Sequence, residues 1–219
     1  METATLKQAG KVLELIAQSE RSGEWIQNHL IGSGALSDLL AVDNLAGISR
    51  DARRRVLGLS ALNPSLLEEI GIVTIPATVE AFVAREKFVV GSAKAKISWI
   101  GSNFEAWFLG RTEEPSVETT LCYAKLVKSS VDGPILVELG DKAETALAQI
   151  WALMDLQPNG EEGVLLINGW ANIFYALDAN GELRAVHVYW LEGGWLVHAG
   201  PVSSPYRWSG EHRVFSRNS

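Results

Sequence analysis

The first third of the chain carries apolar residues at the spacing of amphipathic helices. Leu6, Ala9 and Leu13 follow one another at three and four positions, and a shorter group of the same kind surrounds Trp25. Glycines and a proline then interrupt the pattern up to about residue 75, which is typical of small helices joined by tight turns. The sequence therefore predicts a helical subdomain over residues 1–75.

Beyond residue 75 the hydrophobic period changes from one segment to the next. Apolar spacing predicts a helix over 78–87, a strand over 95–100 and a helix over 103–109. The four residues 118–121 are similar to the first turn of a clearer helix farther along the chain. We therefore expect a helix to begin there too.

The clearest helix is predicted over 142–156. Asp141 can cap its first turn, and Glu144 stands at the capping-box position three residues later. Trp151 and Met154 belong to one apolar face, which is expected to pack against a sheet. A proline, an asparagine and a glycine then end the helix.

From residue 163 onward branched and aromatic residues form short runs separated by turn residues. The predicted strands cover 164–167, 173–177, 183–191, 195–199 and 213–216. Sequential strands joined by short turns pair antiparallel. The predicted class is α+β, with a helical N-terminal part, then a domain over 76–219 that holds a mixed segment and a C-terminal antiparallel β-meander packed on a helix.

Composition and charge narrow the classes of partner. The 219 residues are 47% hydrophobic and 21% charged, as in ordinary globular proteins, and the net charge is −7. An acidic chain is a poor match for nucleic acid or an anionic membrane surface, because both require a field of Lys and Arg. One basic cluster, Arg50–Arg55, could still make a local contact or could form a solvated helix face.

The sequence points to a cytoplasmic location. Cys122 is the single cysteine and has no internal partner for a disulfide. No charged segment followed by an apolar run begins the sequence, and no apolar run approaches the roughly 20 residues that span a bilayer. We therefore expect no membrane partner.

The stretch from about residue 75 to residue 219 resembles a family of uncharacterised bacterial proteins. The segments that carry the resemblance read KISWIGSNF at 96–104, SVDGPI at 130–135, QPNGE at 157–161, NGWANIFY at 168–175 and RVFSRN at 213–218. The resemblance implies a reused module and no particular activity.

Hairpin spacing predicts one row of polar side chains across the C-terminal strands. If Trp190 pairs with Trp195, then His187 lies opposite His198. If Leu177 pairs with Glu182 around the Asn180-Gly181 turn, Asn172 lies opposite His187. The predicted row is Asn172, His187, His198.

Phe174 and Tyr189 are expected to share the face that carries this row, while the alternate positions form the apolar core face. Aromatic rings, imidazoles and an amide on one face could bind a small polar ligand, a partner surface, or a metal ion that finds a third ligand. The same residues could also be ordinary cross-strand pairs on a half-exposed sheet.

The loop over 200–212 is a second candidate, because it carries Tyr206 and Trp208. Exposed aromatic residues on a loop are typical of binding surfaces. Alternatively, the loop folds back over the sheet, and Trp208 fills the core.

Three functions remain open from the sequence. The preferred one is a non-catalytic module that binds a protein or a small molecule through Asn172, Phe174, His187, Tyr189, His198, Tyr206 and Trp208. The second is a small metal-dependent or histidine-using hydrolase, and the third is a regulator that contacts nucleic acid through Arg50–Arg55. No phosphate loop, dinucleotide fingerprint or nucleophile elbow occurs, so no catalytic residue, metal or cofactor is assigned.

Overall fold

The computed structural model describes residues 11, 14–19, 21–33, 65–92 and 94–218. The chain divides into two compact units, Met1–Asn63 and Pro64–Ser219. The basic cluster Arg50–Arg55 and most of the predicted helical subdomain lie outside the described residues.

The described part of the first unit is helical. Residues 14–18 are α-helical, and α1, Gly23–Ile26, continues into a π-helical turn over Gln27–Ile31. The Ser22 hydroxyl caps α1 by accepting a hydrogen bond from the backbone N–H of Trp25 at 3.1 Å.

The second unit combines nine strands with four short α-helices among its described residues. The strands are β1 Leu67–Ile75, β2 Phe82–Val83, β3 Ile97–Ile100, β4 Thr112–Glu113, β5 Thr119–Leu126, β6 Asn172–Leu177, β7 Leu183–Leu191, β8 Gly194–Pro201 and β9 Arg213–Arg217. The helices are α2 Ala84–Lys87, α3 Ser102–Phe108, α4 Asp132–Leu139, which runs into a 3-10 turn, and α5 Leu147–Asp155.

Seven strands form one mixed sheet in the order β1-β5-β9-β6-β7-β8-β3, which confirms the α+β class. The predicted antiparallel meander over 163–216 is not the architecture observed. Only β6, β7 and β8 follow one another as antiparallel neighbours, and residues 164–167 form no strand. The chain from β8 to β9 is long enough to cross back, so β9 pairs in parallel with β6 and antiparallel with β5.

Two predicted helical segments are strands of this sheet. Residues 67–75, placed in the helical subdomain, form the edge strand β1, and the helix expected from residue 118 is replaced by β5. β5 lies between β1 and β9, so its backbone groups are paired on both sides. This pairing outweighs a helical resemblance that rested on four residues.

Helix α5 begins at Leu147, five residues later than predicted, and Asp141 does not cap it. The Glu113 carboxylate instead accepts hydrogen bonds from the backbone N–H groups of Leu147 and Ala148 at 3.0 and 2.9 Å. An acidic side chain at this end of a helix satisfies free amides and complements the helix dipole. Met154 is buried as expected, whereas Trp151 is only partly buried.

Each face of the sheet has its own hydrophobic core. The first core lies under α3 and α5 and includes Phe174, Val188, Trp195 and Phe215. The second core lies under α4 and the 202–212 loop and includes Ile135, Ile173, Tyr175, Trp208 and Val214. Strand β6 is therefore covered on both faces, and His187 on the neighbouring strand faces the second core.

Gly160 and Gly181 provide a matched test of this packing. Both have positive φ angles, of 72° and 78°, but a Cβ on Gly160 would overlap the indole of Trp190, whereas nothing lies within 4 Å of a Cβ on Gly181. We expect Gly181→Ala to cost about 1 kcal/mol through backbone strain, and Gly160→Ala about 3 kcal/mol because overlap is added. Urea unfolding measures both, and equal losses would contradict the close approach of Trp190.

Candidate functional site

The β7–β8 hairpin has the predicted register. Trp190 pairs with Trp195, and His187 pairs with His198. The turn consists of Glu192 and Gly193, whose φ angles of 50° and 80° are both positive. Two positive φ angles define a type I′ turn, which matches the twist of the strands it joins and leaves no bulge. The opposed histidines are thus confirmed.

The predicted partner of His187 on β6 is wrong. Asn172 lies opposite Val188, and Ile173 lies opposite His187. The connecting loop spans 178–182, one residue more than the predicted turn, because Leu177 pairs with Leu183. A shift of one residue moves every side chain of a strand to the other face.

The Asn172 side chain consequently faces the first core, where it joins two backbone segments by hydrogen bonds. Its Oδ1 accepts from the N–H of Leu166 at 2.8 Å, and its Nδ2 donates to the carbonyl oxygens of Leu166 and Val188 at 3.0 and 3.2 Å. Phe174 also faces this core, where its ring stacks on Phe215 at 4.4 Å. Neither side chain shares the face of the histidines.

His187 lies among aromatic rings. Its imidazole stacks on His198 with 5.2 Å between centroids and 11° between planes, and it meets the Trp208 ring edge-on at 5.0 Å. Its Nδ1 atom is buried and has no hydrogen-bond partner among the described residues. An unpaired buried nitrogen costs free energy, and protonation would cost more.

The imidazoles on this face are held neutral. Burial, followed by the proximity of His198 and His212, lowers the pKa of His187 to about 3. Burial also lowers the pKa of His198 and of His212. The phenol of Tyr189 is neutral as well, because burial and the nearby Tyr206 raise its pKa to about 12.

An open pocket of about 630 Å³ lies against this face, between β7, β8 and the segments before β6 and β9. Its volume is within the range of small-molecule sites. Four aromatic side chains contribute to the wall, namely Trp170, Tyr189, Tyr206 and Trp208, and polar groups come from Asp132, His187, Ser204, Ser209 and His212.

The structure therefore brings together four of the seven residues predicted for the site: His187, Tyr189, Tyr206 and Trp208. His198 stacks on His187 but opens into a neighbouring pocket. Trp208 is 5% exposed, so the 202–212 loop folds back over the sheet, as in the second of the two alternatives for it. Tyr206 on the same loop is 63% exposed.

Asp132 at the first position of α4 is the residue that sequence reasoning missed. Its Oδ1 accepts a hydrogen bond from the Tyr175 hydroxyl at 2.9 Å and another from the Trp208 indole N–H at 2.8 Å. Burial raises the pKa of Asp132, although these hydrogen bonds oppose the shift. The only signal in the sequence was an acidic residue just before Gly133 and Pro134, which marks a helix start and nothing more.

His212 and Ser209 form a pair that resembles part of a nucleophilic site. The Nδ1 atom of His212 accepts from the backbone N–H of Ala171 at 2.9 Å, so the neutral ring carries its proton on Nε2. Nε2 is 3.4 Å from the Ser209 hydroxyl. A nitrogen that already holds a proton cannot remove one from serine, so this pair lacks the geometry of a serine nucleophile and its base.

A second pocket of about 530 Å³ continues along the same face, with Leu191 common to both pockets. Its residues are Ser98, Trp99, Leu191, Glu192, Leu196 and His198. The Trp99 ring packs on His198 with 4.3 Å between centroids and is 44% exposed. The face therefore carries two adjoining depressions lined by aromatic and imidazole rings.

The two opposed histidines are poorly arranged for a metal ion. Their ring planes are nearly parallel, whereas ligands of one ion must direct their nitrogen lone pairs toward a common point. In the described part of the chain, no three His, Cys, Asp or Glu side chains group closely enough to hold a metal.

The fold and the pocket define an α+β protein with an aromatic-lined depression over one face of a mixed sheet. Comparisons with protein-family models, with curated proteins and with solved structures found nothing that matches the chain. The resemblance to a family of uncharacterised bacterial proteins remains a prediction from the sequence.

The lowered pKa of His187 predicts a loss of stability in mild acid. Its folded-state pKa of about 3 lies below the ordinary 6.5, so the stabilisation is present above pH 6.5 and is lost as the pH falls toward 3. We expect His187→Phe to reduce the stability difference between pH 7 and pH 5 by about 2 kcal/mol, measured by urea unfolding. An NMR titration of the His187 ring with a midpoint near neutrality would contradict the burial.

Asp132 predicts a pair of graded substitutions. Asp132→Ala removes the acceptor of two buried donors and should cost about 3 kcal/mol, whereas Asp132→Asn retains an oxygen and should cost about 1 kcal/mol. Urea unfolding followed by tryptophan fluorescence measures both. Equal losses for the two variants would show that the hydrogen bonds of Oδ1 do not stabilise the unit.

Proposed function

We propose that the second unit, residues 64–219, is a non-catalytic binding module that holds a small organic molecule in the pocket over β7 and β8. The observation that supports this most directly is the concentration of aromatic side chains with a few polar groups around one depression. Small-molecule sites combine mostly apolar walls with a small number of polar groups that fix orientation.

Two rings at the mouth of the pocket are left open to solvent. Trp170 is 38% exposed and Tyr206 is 63% exposed, although each carries a large apolar surface. Trp170 meets the His212 ring edge-on at 5.1 Å, and Tyr206 meets Trp208 edge-on at the same distance. Rings supported in this way offer a flat contact surface at a low entropy cost.

The groups in the pocket are a poor set for acid–base chemistry. An efficient general base has a pKa near the operating pH, whereas the pKa of His187 is about 3. A hydrolase using His187 and His198 would also need a third polar group close to both rings. His212 lies in the pocket of His187, Glu192 lies in the pocket of His198, and Cys122 lies in a different pocket.

We also propose a cytoplasmic location and leave nucleic-acid contact as an alternative function. A cytoplasmic location rests on the single cysteine, and nucleic-acid contact through Arg50–Arg55 concerns residues outside the described part. Within the described residues, no helix has the length and apolar character needed to cross a membrane.

The proposal is tested by NMR with a library of neutral, cationic and anionic aromatic fragments. Bound fragments should shift the indole N–H signal of Trp170 and the backbone signals of Tyr206 and Trp208. Trp170→Ala and Tyr206→Ala should each weaken the best fragment about 10-fold, because each removes one wall of the contact.

Val137→Ala is the matched control, since Val137 is an apolar residue of α4 with 83% exposure and lies outside the pocket. This variant should bind the fragments as the unchanged protein does. Fragments that bind only elsewhere, or a library without any binder, would refute the binding module.

A further inference from the structure

The charged side chains that line the two pockets on this face are negative. Among the described residues that line them, Asp132 and Glu192 are the acidic ones, and neither Lys nor Arg is present. The histidines are neutral near pH 7, because burial lowers the pKa of His187, His198 and His212. A ligand with a positive charge would therefore meet no repelling group.

The carboxylate of Asp132 has no cationic partner within the described part of the chain. Its hydrogen bonds come from neutral donors, the Tyr175 hydroxyl and the Trp208 indole N–H. Arg207, which stands next to Trp208 in the chain, donates to the backbone oxygen of Ser129 instead. When ionised, Asp132 therefore places in the pocket lining a negative charge that no cationic side chain balances, and a buried charge acts over several ångströms with little screening.

The aromatic wall adds to this field. The face of a Trp or Tyr ring is electrostatically negative, so a cation within about 6 Å of the ring centre is attracted to it. Trp170 and Tyr206 hold exposed rings at the mouth, and Trp208 and Asp132, which are joined by a hydrogen bond, both line the pocket. Aromatic rings and a carboxylate around the same pocket favour the same sign of ligand charge.

We propose that the ligand of the first pocket, over β7 and β8, is a small organic cation whose charge is carried by an alkylated ammonium group. The inference rests on the proposed function and specifies its ligand class. An alkylated ammonium matches the site better than a primary amine does, because a primary ammonium needs three hydrogen-bond acceptors and aromatic walls supply none. Alkyl groups that spread the charge gain instead from contact with the rings.

The test compares choline with its uncharged carbon isostere, in which a tert-butyl group replaces the trimethylammonium group. The two molecules have nearly the same shape, so their difference isolates the charge. We expect the 219-residue chain to bind choline about 10-fold more tightly than the isostere, measured by isothermal titration calorimetry and by chemical shifts at Trp170.

Substitutions locate the source of that difference. Tyr206→Leu and Trp170→Leu keep apolar contact but remove the ring, so they should reduce the preference for choline about 3-fold or more, whereas Tyr206→Phe should keep it. Asp132→Asn should weaken choline about 5-fold and leave the isostere unchanged. Glu192→Gln changes the net charge equally but lies in the second pocket, and it should change neither affinity.

The outcomes distinguish a failure of this inference from a failure of the proposed binding function. The proposal of a cationic ligand is overturned if choline and its isostere bind equally. It is also overturned if neutral and anionic fragments bind in the pocket and choline does not. In both cases the binding module remains supported. A pocket that binds no fragment overturns both. If Asp132→Asn fails to fold, as judged by circular dichroism, the exposed Trp170→Leu and Tyr206→Leu variants still decide the result.

Discussion

One buried carboxylate connects three parts of the second unit beside the pocket. Asp132 at the start of α4 receives hydrogen bonds from Tyr175 on β6 and from Trp208 in the loop before β9. Without this acceptor, both donors would be buried and unpaired, and the loop would be held at Trp208 by its backbone hydrogen bonds to Ser130. The indole of Trp208, which packs against His187, is thus held by this side-chain contact in addition to the backbone.

The same contact helps to explain why the imidazoles of the histidines are packed and uncharged. Trp208 covers His187 from one side and His198 stacks on it from another, so water is largely excluded. Exclusion of water keeps the imidazoles neutral and removes the proton-transfer capacity that two histidines would otherwise offer. These neutral rings support the proposed binding role over the alternative of acid–base catalysis.

Parts of the site were accessible from the sequence because local chemistry determines them. The Glu192–Gly193 turn is short and is flanked by alternating residues, so the pairing of His187 with His198 followed from counting. The preceding loop differs, because the Asp178 side chain accepts from the N–H groups of Asn180 and Glu182, and the loop lengthens by one residue. The roles of Asp132 and β9 depend on contacts between segments far apart in sequence, which no local pattern contains.

The placement of β9 has a consequence for how the sheet assembles. The sheet has two parts on either side of β9. One part is β1 and β5, and the other is β6, β7, β8 and β3. Strand β9 joins the two parts, although it follows all of these strands in the chain. During synthesis, the edges of β5 and β6 that pair with β9 stay unpaired until residues 213–217 are available. Contacts between residues distant in sequence slow folding, so this waiting interval is the stage at which a chaperone or an aggregating partner would find exposed strand edges.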